Sequence, residues 1–238
     1  MLLPSDFPIF ENVEMSAISS TYALVRKDIQ SELRTRYALN ALLMFVVTSV
    51  ATILFALRSD QPTSTVLSGM YWVVVFFTAM SSLSRIFVSE EERGTTMTLQ
   101  LVASPSVVYF GKLMFNTVLT LSLTLAVTVL YMIVFSAFFK IETVSIFIIT
   151  VILGSLGFAS AATIIAAIVA KANTRGTLYP VLSFPILIVL LITVMNATAK
   201  SLDGEPLSAA MGDFQVLVGY ILAMTGGSYL LFEYVWKD

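Results

Sequence analysis

The chain alternates between long apolar runs and short polar segments, and six runs are long enough to cross a bilayer. A transmembrane helix needs about 20 predominantly apolar residues. The runs occupy residues 40–57, 66–83, 113–139, 143–170, 178–199 and 214–232. Because each run is continuously apolar rather than alternating between apolar and polar residues, the pattern predicts membrane-spanning helices and not the strands of a barrel.

The composition supports this prediction and excludes several kinds of chemistry. Hydrophobic residues make up 58% of the 238 residues and charged residues 12%, whereas a soluble domain has about 25% charged residues. The chain contains no Cys and no His, so thiolate chemistry, the usual general base and the commonest metal ligand are excluded. We therefore predict an all-α membrane protein that is not an enzyme, without catalytic, cofactor or metal sites and without a nucleic-acid partner.

The basic residues predict the orientation of the six spans. With both termini in the cytoplasm, ten basic residues lie inside: Arg26, Lys27, Arg34, Arg36, Arg85, Arg93, Lys112, Lys171, Arg175 and Lys237. Three lie outside: Arg58, Lys140 and Lys200. Short cytoplasmic loops are enriched in Lys and Arg. The ten-to-three ratio predicts a multi-pass protein with cytoplasmic termini and a cytoplasmic segment between spans two and three.

The segment before the first span has the pattern of an amphipathic helix. In "SAISSTYALVRKDIQSELRTRYAL" the apolar residues recur every three or four positions, with basic residues largely on the other face. Such a helix lies in the membrane interface, its basic residues facing lipid headgroups. A merely solvated basic flank is the alternative interpretation. Residues 1–16 are predicted to be a flexible extension, and residues 17–238 a single six-span domain.

The segment between spans two and three holds the densest charge cluster of the chain. Ser89 followed three residues later by Glu92 forms a capping box, which is typical of a helix start. We predict a short helix over residues 89–103 in which Met97 and Leu101 share one face. Ser104-Pro105 is a second helix start, leading into the third span. The alternative interpretation is an ordinary polar loop.

The same segment carries a resemblance to a known family. "FVSEEERGTTMTLQLVASPSVVYFGKL" resembles the corresponding segment of heme exporter protein B (CcmB), an ABC-2-like permease subunit of ATP-binding-cassette complexes. "LVRKDIQSELRTR" looks like the family's basic amphipathic start, and "ANTRGTLYPVLSFPILI" looks like its connection to the fifth span. The resemblance covers residues 17–238, and it departs from the family at Gln100, where a leucine is common.

The resemblance implies a permease subunit of cytochrome c maturation in a bacterial inner membrane. The segment would be a coupling helix that docks on a separate ATPase and transmits its closure to the spans, linking ATP hydrolysis to haem export or haem-chaperone release. The residues implied in this role are Glu90, Glu91, Glu92, Arg93, Gly94, Thr95, Leu99, Ser104 and Pro105. The implied partners are a CcmA-like ATPase, CcmC-like and CcmD-like membrane proteins, a CcmE-like haem chaperone acting indirectly, a second copy of the chain, and the lipid bilayer.

Two other functions fit the same residues. One is an ABC-2 permease for a drug, lipid or polysaccharide, and the other is a non-transporting membrane scaffold. No Asp, Glu, Lys or Arg falls inside the six predicted spans, which argues against ion-coupled transport. The chain also lacks the G-x-x-x-x-G-K-[ST] loop of P-loop ATPases, so the ATPase would be a separate protein. In the fourth span, Ser155, Ala159, Thr163 and Ala167 form a ridge of small residues that favours close helix packing.

Overall fold

A computed structural model describes the backbone of residues 17–34, 36–57, 62–84, 90, 94–171 and 175–237. Within these ranges the chain is helical and contains no strand. The α-helices are α1 (Ala17–Arg34), α2 (Arg36–Leu57), α3 (Ser64–Leu83), α4 (Thr96–Val102), α5 (Pro105–Val134), α6 (Ser136–Phe139), α7 (Val144–Lys171), α8 (Arg175–Leu202) and α9 (Met211–Lys237). A 3₁₀ turn, Leu207–Ala210, precedes α9.

The prediction of six membrane spans is confirmed. Six of the described helical stretches are long and apolar enough to cross a bilayer: Asn40–Leu57, Ser64–Leu83, Pro105–Val134, Val144–Val169, Ser183–Leu202 and Leu207–Trp236. The third differs most from its prediction, since α5 begins at Pro105 and ends at Val134. Phe135 then leaves helical geometry, with φ −112° and ψ 117°, before the short helix α6. The predicted run to residue 139 is therefore not one continuous helix.

The centre of the bundle is formed by α3, α7 and α8, and α2 and α9 lie at its edge. α7 packs against α5, α8 and α9, while α3 packs against α8 and α5. The small residues predicted to form a ridge on the fourth span, Ser155, Ala159, Thr163 and Ala167, are all buried. Their small side chains let the neighbouring helices approach closely. α2 and α9 instead leave most of their apolar side chains exposed, so these surfaces face lipid or partner proteins.

The connection between α8 and α9 is held by side-chain and backbone bonds. Lys200 Nζ lies 2.8 Å from Asp213 Oδ2 and donates to the carbonyl of Ala209 at 2.9 Å. Thr143, before α7, donates through its hydroxyl to the carbonyl of Glu205 at 2.9 Å. Gly204 has a φ of 73°, a left-handed conformation that favours glycine. These contacts fix the end of the bundle where α8 ends and α9 begins. α4 contacts the other end of α9, at Trp236.

Candidate functional site

A buried cluster of charges joins α1, the segment before α4 and α5. Lys112, on the second turn of α5, has only 1% of its side chain exposed. Its Nζ lies 2.9 Å from Asp28 Oδ2 on α1 and 3.1 Å from Glu90 Oε1. The sequence predicted that Lys112 lies just before the third span, on the helix that begins at Ser104-Pro105, and it does lie on α5. Its ammonium group neutralises two carboxylates that would be costly to bury alone.

Lys27 completes what we call the charge cluster: Lys27, Asp28, Glu90 and Lys112. Its Nζ donates to Glu90 Oε1 at 2.6 Å and lies 3.8 Å from Asp28 Oδ1. Lys27 is 47% exposed, whereas the two carboxylates are both 7% exposed. The cluster thus contains two cations and two anions, with one cation enclosed and the other at the solvent edge. Removal of either carboxylate would leave two cations sharing one anion, with Lys112 still buried.

The apolar face of α1 brings Asp28 to Lys112. Leu24 and Val25 are buried, and α1 packs against α5. A Cβ atom at Gly111 would lie 2.6 Å from Leu24 Cδ2, so a larger residue here would require the Leu24 side chain to move. Asp28 follows Leu24 by one helical turn on α1, and Lys112 follows Gly111 on α5. The contact between Leu24 and Gly111 therefore brings Asp28 next to Lys112. Residues 17–34 are thus helical, and this helix packs against α5 while its Lys27 donates to Glu90.

The surroundings of Glu90 keep it ionised. Burial acts to raise the pKa of this carboxyl, but the charge of Lys112, hydrogen bonds from Lys27 and Thr95, and the charge of Lys27 together outweigh burial. Together these effects lower the pKa of Glu90 to about 2. Glu90 is therefore a structural anion that is engaged with two lysines. The sequence grouped Glu90 with the residues implied in ATPase coupling, and its carboxylate is engaged with Lys27 and Lys112.

The backbone around Gly94 separates Glu90 from α4. Gly94 has a φ of 65°, and the Thr95 N–H donates to the Glu90 carbonyl at 3.0 Å. A positive φ is not α-helical and favours glycine. A single helix over 89–103 with Gly94 inside it is thus wrong, and the helix beyond Gly94 begins at Thr96. The capping-box residues Ser89 and Glu92, with Glu91 and Arg93, lie outside the described residues.

α4 presents apolar side chains to the surroundings. Met97 is 73% exposed, Leu101 83% and Val102 81%, so the predicted shared face of Met97 and Leu101 points outward. Leu99, on the other side, packs against the core. The Gln100 side-chain amide donates to the carbonyl of Trp236 near the end of α9. A seven-residue helix is therefore held against the bundle on one face while its other face is free among the described residues.

Ser104 and Pro105 mark the turn from α4 into α5, as predicted. Ser104 occupies the N-cap position with φ −65° and ψ 151°, and Pro105 is the first residue of α5. The Ser104 side chain makes no capping hydrogen bond, so the extended backbone and the proline ring define this start. Only Ala103 and Ser104 separate the two helices. A displacement of α4 would therefore act directly on the first turn of α5.

Beyond Lys112, α5 carries a line of buried polar side chains that sequence reasoning missed. We call Lys112, Asn116, Thr120, Thr124 and Thr128 the polar ladder; they follow one another at four-residue intervals and are all buried. Asn116 Nδ2 donates to Thr163 Oγ1 on α7 at 2.7 Å, and Thr128 Oγ1 lies 2.7 Å from the Tyr71 hydroxyl on α3. The ladder thus connects the charge cluster with two central helices. Its four-residue spacing is the signal that could have revealed it.

The comparisons with known proteins bear on this arrangement. A family model described as CcmB protein matches residues 19–231. The chain belongs to the CcmB family. It is accordingly a membrane permease subunit of a haem-export and cytochrome c maturation ABC system, whose assembly includes an ATPase and other membrane proteins. The match contains all but the first two residues of α1, together with the charge cluster, α4 and the whole polar ladder. The comparison with curated proteins gives no match.

Proposed function

We propose that this CcmB-family chain converts ATP hydrolysis by a separate, CcmA-like ATPase into movement of its spans. That movement would drive haem export or the release of haem from a CcmE-like chaperone. With no His and no Cys, the chain lacks the commonest haem-iron ligands. We therefore assign mechanical coupling to this subunit and haem handling to CcmC-like and CcmE-like partners, with a CcmD-like protein in the same assembly.

The observation that carries the proposal is the exposed apolar face of α4. Met97, Leu101 and Val102 project from a short helix that is anchored by Leu99 and Gln100 on its other side. Water-exposed apolar side chains in a contiguous group are typical of protein interaction sites. The basic-residue distribution predicts that this segment lies in the cytoplasm, where an ATPase would meet it. Met97, Leu101 and Val102 would form the apolar centre of the contact.

Charged residues around the apolar centre would steer the encounter. Glu91, Glu92 and Arg93 precede Gly94 in the sequence, and charges at the rim of an interface contribute to partner choice and association rate. Glu90 has a different assignment, because its carboxylate is bound to Lys27 and Lys112. Gly94 and Thr95 would set the direction of α4 through the closure onto Glu90.

Three connections would carry a push on α4 into the membrane. The first is the two-residue link formed by Ala103 and Ser104, which joins α4 directly to α5. The second is Gln100, which bonds to α9 at Trp236. The third is the charge cluster, which ties Glu90 to α1 and α5. Because the polar ladder then joins α5 to α7 through Asn116, α5 would move together with the bundle centre rather than slide past it.

A co-purification experiment tests the docking of α4. The double variant Met97→Ser, Leu101→Ser would be compared with the matched double variant Leu207→Ser, Met211→Ser. The latter removes the same two residue types from exposed positions at the other end of the bundle. We expect the α4 variant to capture at least tenfold less CcmA-like ATPase and to lose ATP-dependent haem release. The Leu207/Met211 variant should behave as wild type.

Two results would contradict the proposal. If both double variants retain the ATPase equally, α4 is not the docking element. If the α4 variant binds the ATPase normally and still supports nucleotide-dependent haem release, the exposed face has no coupling role. Thermal unfolding of each variant in detergent would show that loss of capture does not result from loss of folding.

A further inference from the structure

A lateral groove opens between α1, α2 and α5, outside the machinery proposed for coupling. Its volume is about 480 Å³, within the range of about 300–1,000 Å³ that is usual for small-ligand pockets. The walls are aliphatic and aromatic, with Ile29 on α1, Val46 on α2 and Phe115 on α5. α2 contributes only residues of its first half, Leu42 to Val47. We call this space the lateral groove.

Glu32 is the acidic residue at the α1 end of the lateral groove. Its Oε1 is buried and has no hydrogen-bond donor among the residues that the structure describes. Asp28, one helical turn earlier, has Lys112 as its cation, so the two carboxylates of this face differ in their surroundings. A buried carboxylate oxygen without a donor is costly. The groove therefore pairs an apolar channel with an unsatisfied acceptor at one end.

The groove extends across most of the bilayer core. Its α5 lining runs from Phe115 to Ile133, a stretch of about 27 Å at 1.5 Å per residue, and a hydrocarbon core is about 30 Å thick. The α1 and α2 lining comes from Ile29 and Glu32 and from Leu42 to Val47. An acyl chain of the leaflet nearest α1 would lie along the part of the groove that begins at Glu32.

The unsatisfied acceptor selects the headgroup. An ionised carboxylate binds a protonated amine through a charge-assisted hydrogen bond, which a quaternary ammonium cannot donate. An anionic headgroup would be repelled by Glu32. We propose that the lateral groove is a binding site for a phospholipid with a primary-amine headgroup, with its amine on Glu32 and one acyl chain along Val46, Phe115 and Val118.

Native mass spectrometry of the full chain tests this site. The protein would be reconstituted in bilayers with equal amounts of phosphatidylethanolamine, phosphatidylcholine and phosphatidylglycerol, and the retained lipids would be counted. We expect phosphatidylethanolamine to exceed each of the others by about tenfold, as a charge-assisted hydrogen bond of about 1.5 kcal/mol requires. Glu32→Gln should remove this preference. Glu142→Gln, at an exposed glutamate outside the groove, should not.

A bulky substitution tests the acyl-chain part separately. Val118 lines the groove and is 47% exposed, whereas Val218 on α9 lies outside it and is 43% exposed. We expect Val118→Trp to abolish lipid retention and Val218→Trp to leave it unchanged. Equal retention of all three lipids by wild type, or normal retention by Val118→Trp, would overturn the proposal. So would a cross-link from position 118 to another subunit in a complex that carries no lipid.

Discussion

Lys112 Nζ lies 2.9 Å from Asp28 Oδ2, so the first buried charge of α5 is neutralised by a residue of the N-terminal helix. Glu90 shares the same lysine at 3.1 Å. Three segments that are distant in sequence therefore meet at one ammonium group. This relationship makes α1 an integral part of the helix bundle and connects it with the segment that leads to α4.

Replacement of the central cation should strongly destabilise the protein. Lys112→Met would leave Asp28 and Glu90 buried with only the half-exposed Lys27 nearby, and loss of one partner of a buried ion pair costs about 3–5 kcal/mol. We expect a clear decrease in the thermal unfolding temperature in detergent. Lys140→Met, at an exposed lysine, is the control. Equal unfolding temperatures for both variants would show that the cluster does not contribute to stability.

The three consecutive glutamates should separate into two roles. Glu90→Gln removes a buried anion that binds Lys27 and Lys112, so we expect reduced stability. Glu91→Lys combined with Glu92→Lys should leave the unfolding temperature unchanged and reduce ATPase capture. That reduction should be largest at low ionic strength, because salt screens exposed charges. A loss of stability in the double variant, with normal capture, would argue against this separation.

The stability of the protein should depend on pH through Glu90. The ordinary pKa of a glutamate is 4.5, and the pKa of Glu90 in the folded protein is about 2. A carboxyl whose pKa is lowered by folding contributes its full stabilisation above the unfolded-state value, and the contribution disappears as pH falls towards the folded-state value. We expect the stability difference between wild type and Glu90→Gln to be constant from pH 7 to 5. It should shrink between pH 4.5 and 2, as thermal unfolding would show.

Gly111 should control how closely α1 approaches α5. A Cβ at this position would meet Leu24 Cδ2 at 2.6 Å, so we expect Gly111→Ala to cost about 1 kcal/mol through overpacking. Leu24→Ala in the same chain should remove the clash, so that the double variant is more stable than the sum of the single effects predicts. Gly219→Ala is the control, because a Cβ there meets nothing within 4 Å. Additive effects at positions 24 and 111 would contradict direct contact.

Part of the candidate site was readable from local sequence. Ser104-Pro105 predicted the start of α5, because a proline at the first helical turn is a local signal. Met97 and Leu101 were predicted to share a face of a short helix, and both lie on α4. Gly94, in contrast, was taken as a residue within a helix. Its left-handed conformation depends on the closure of Thr95 onto Glu90, which a pattern of apolar residues does not encode.

The sequence by itself determined the six membrane spans and the family, because continuous apolar runs and a contiguous motif are properties of neighbouring residues. It also contained the four-residue spacing from Lys112 to Thr128, although hydropathy alone gives that spacing no meaning. Only the tertiary structure decided which residues share Lys112, which way Glu90 points and where Glu32 lies relative to the lateral groove. These features depend on how α1 and α2 pack against α5. That packing brings together side chains from separate segments, and each segment alone is compatible with several partners.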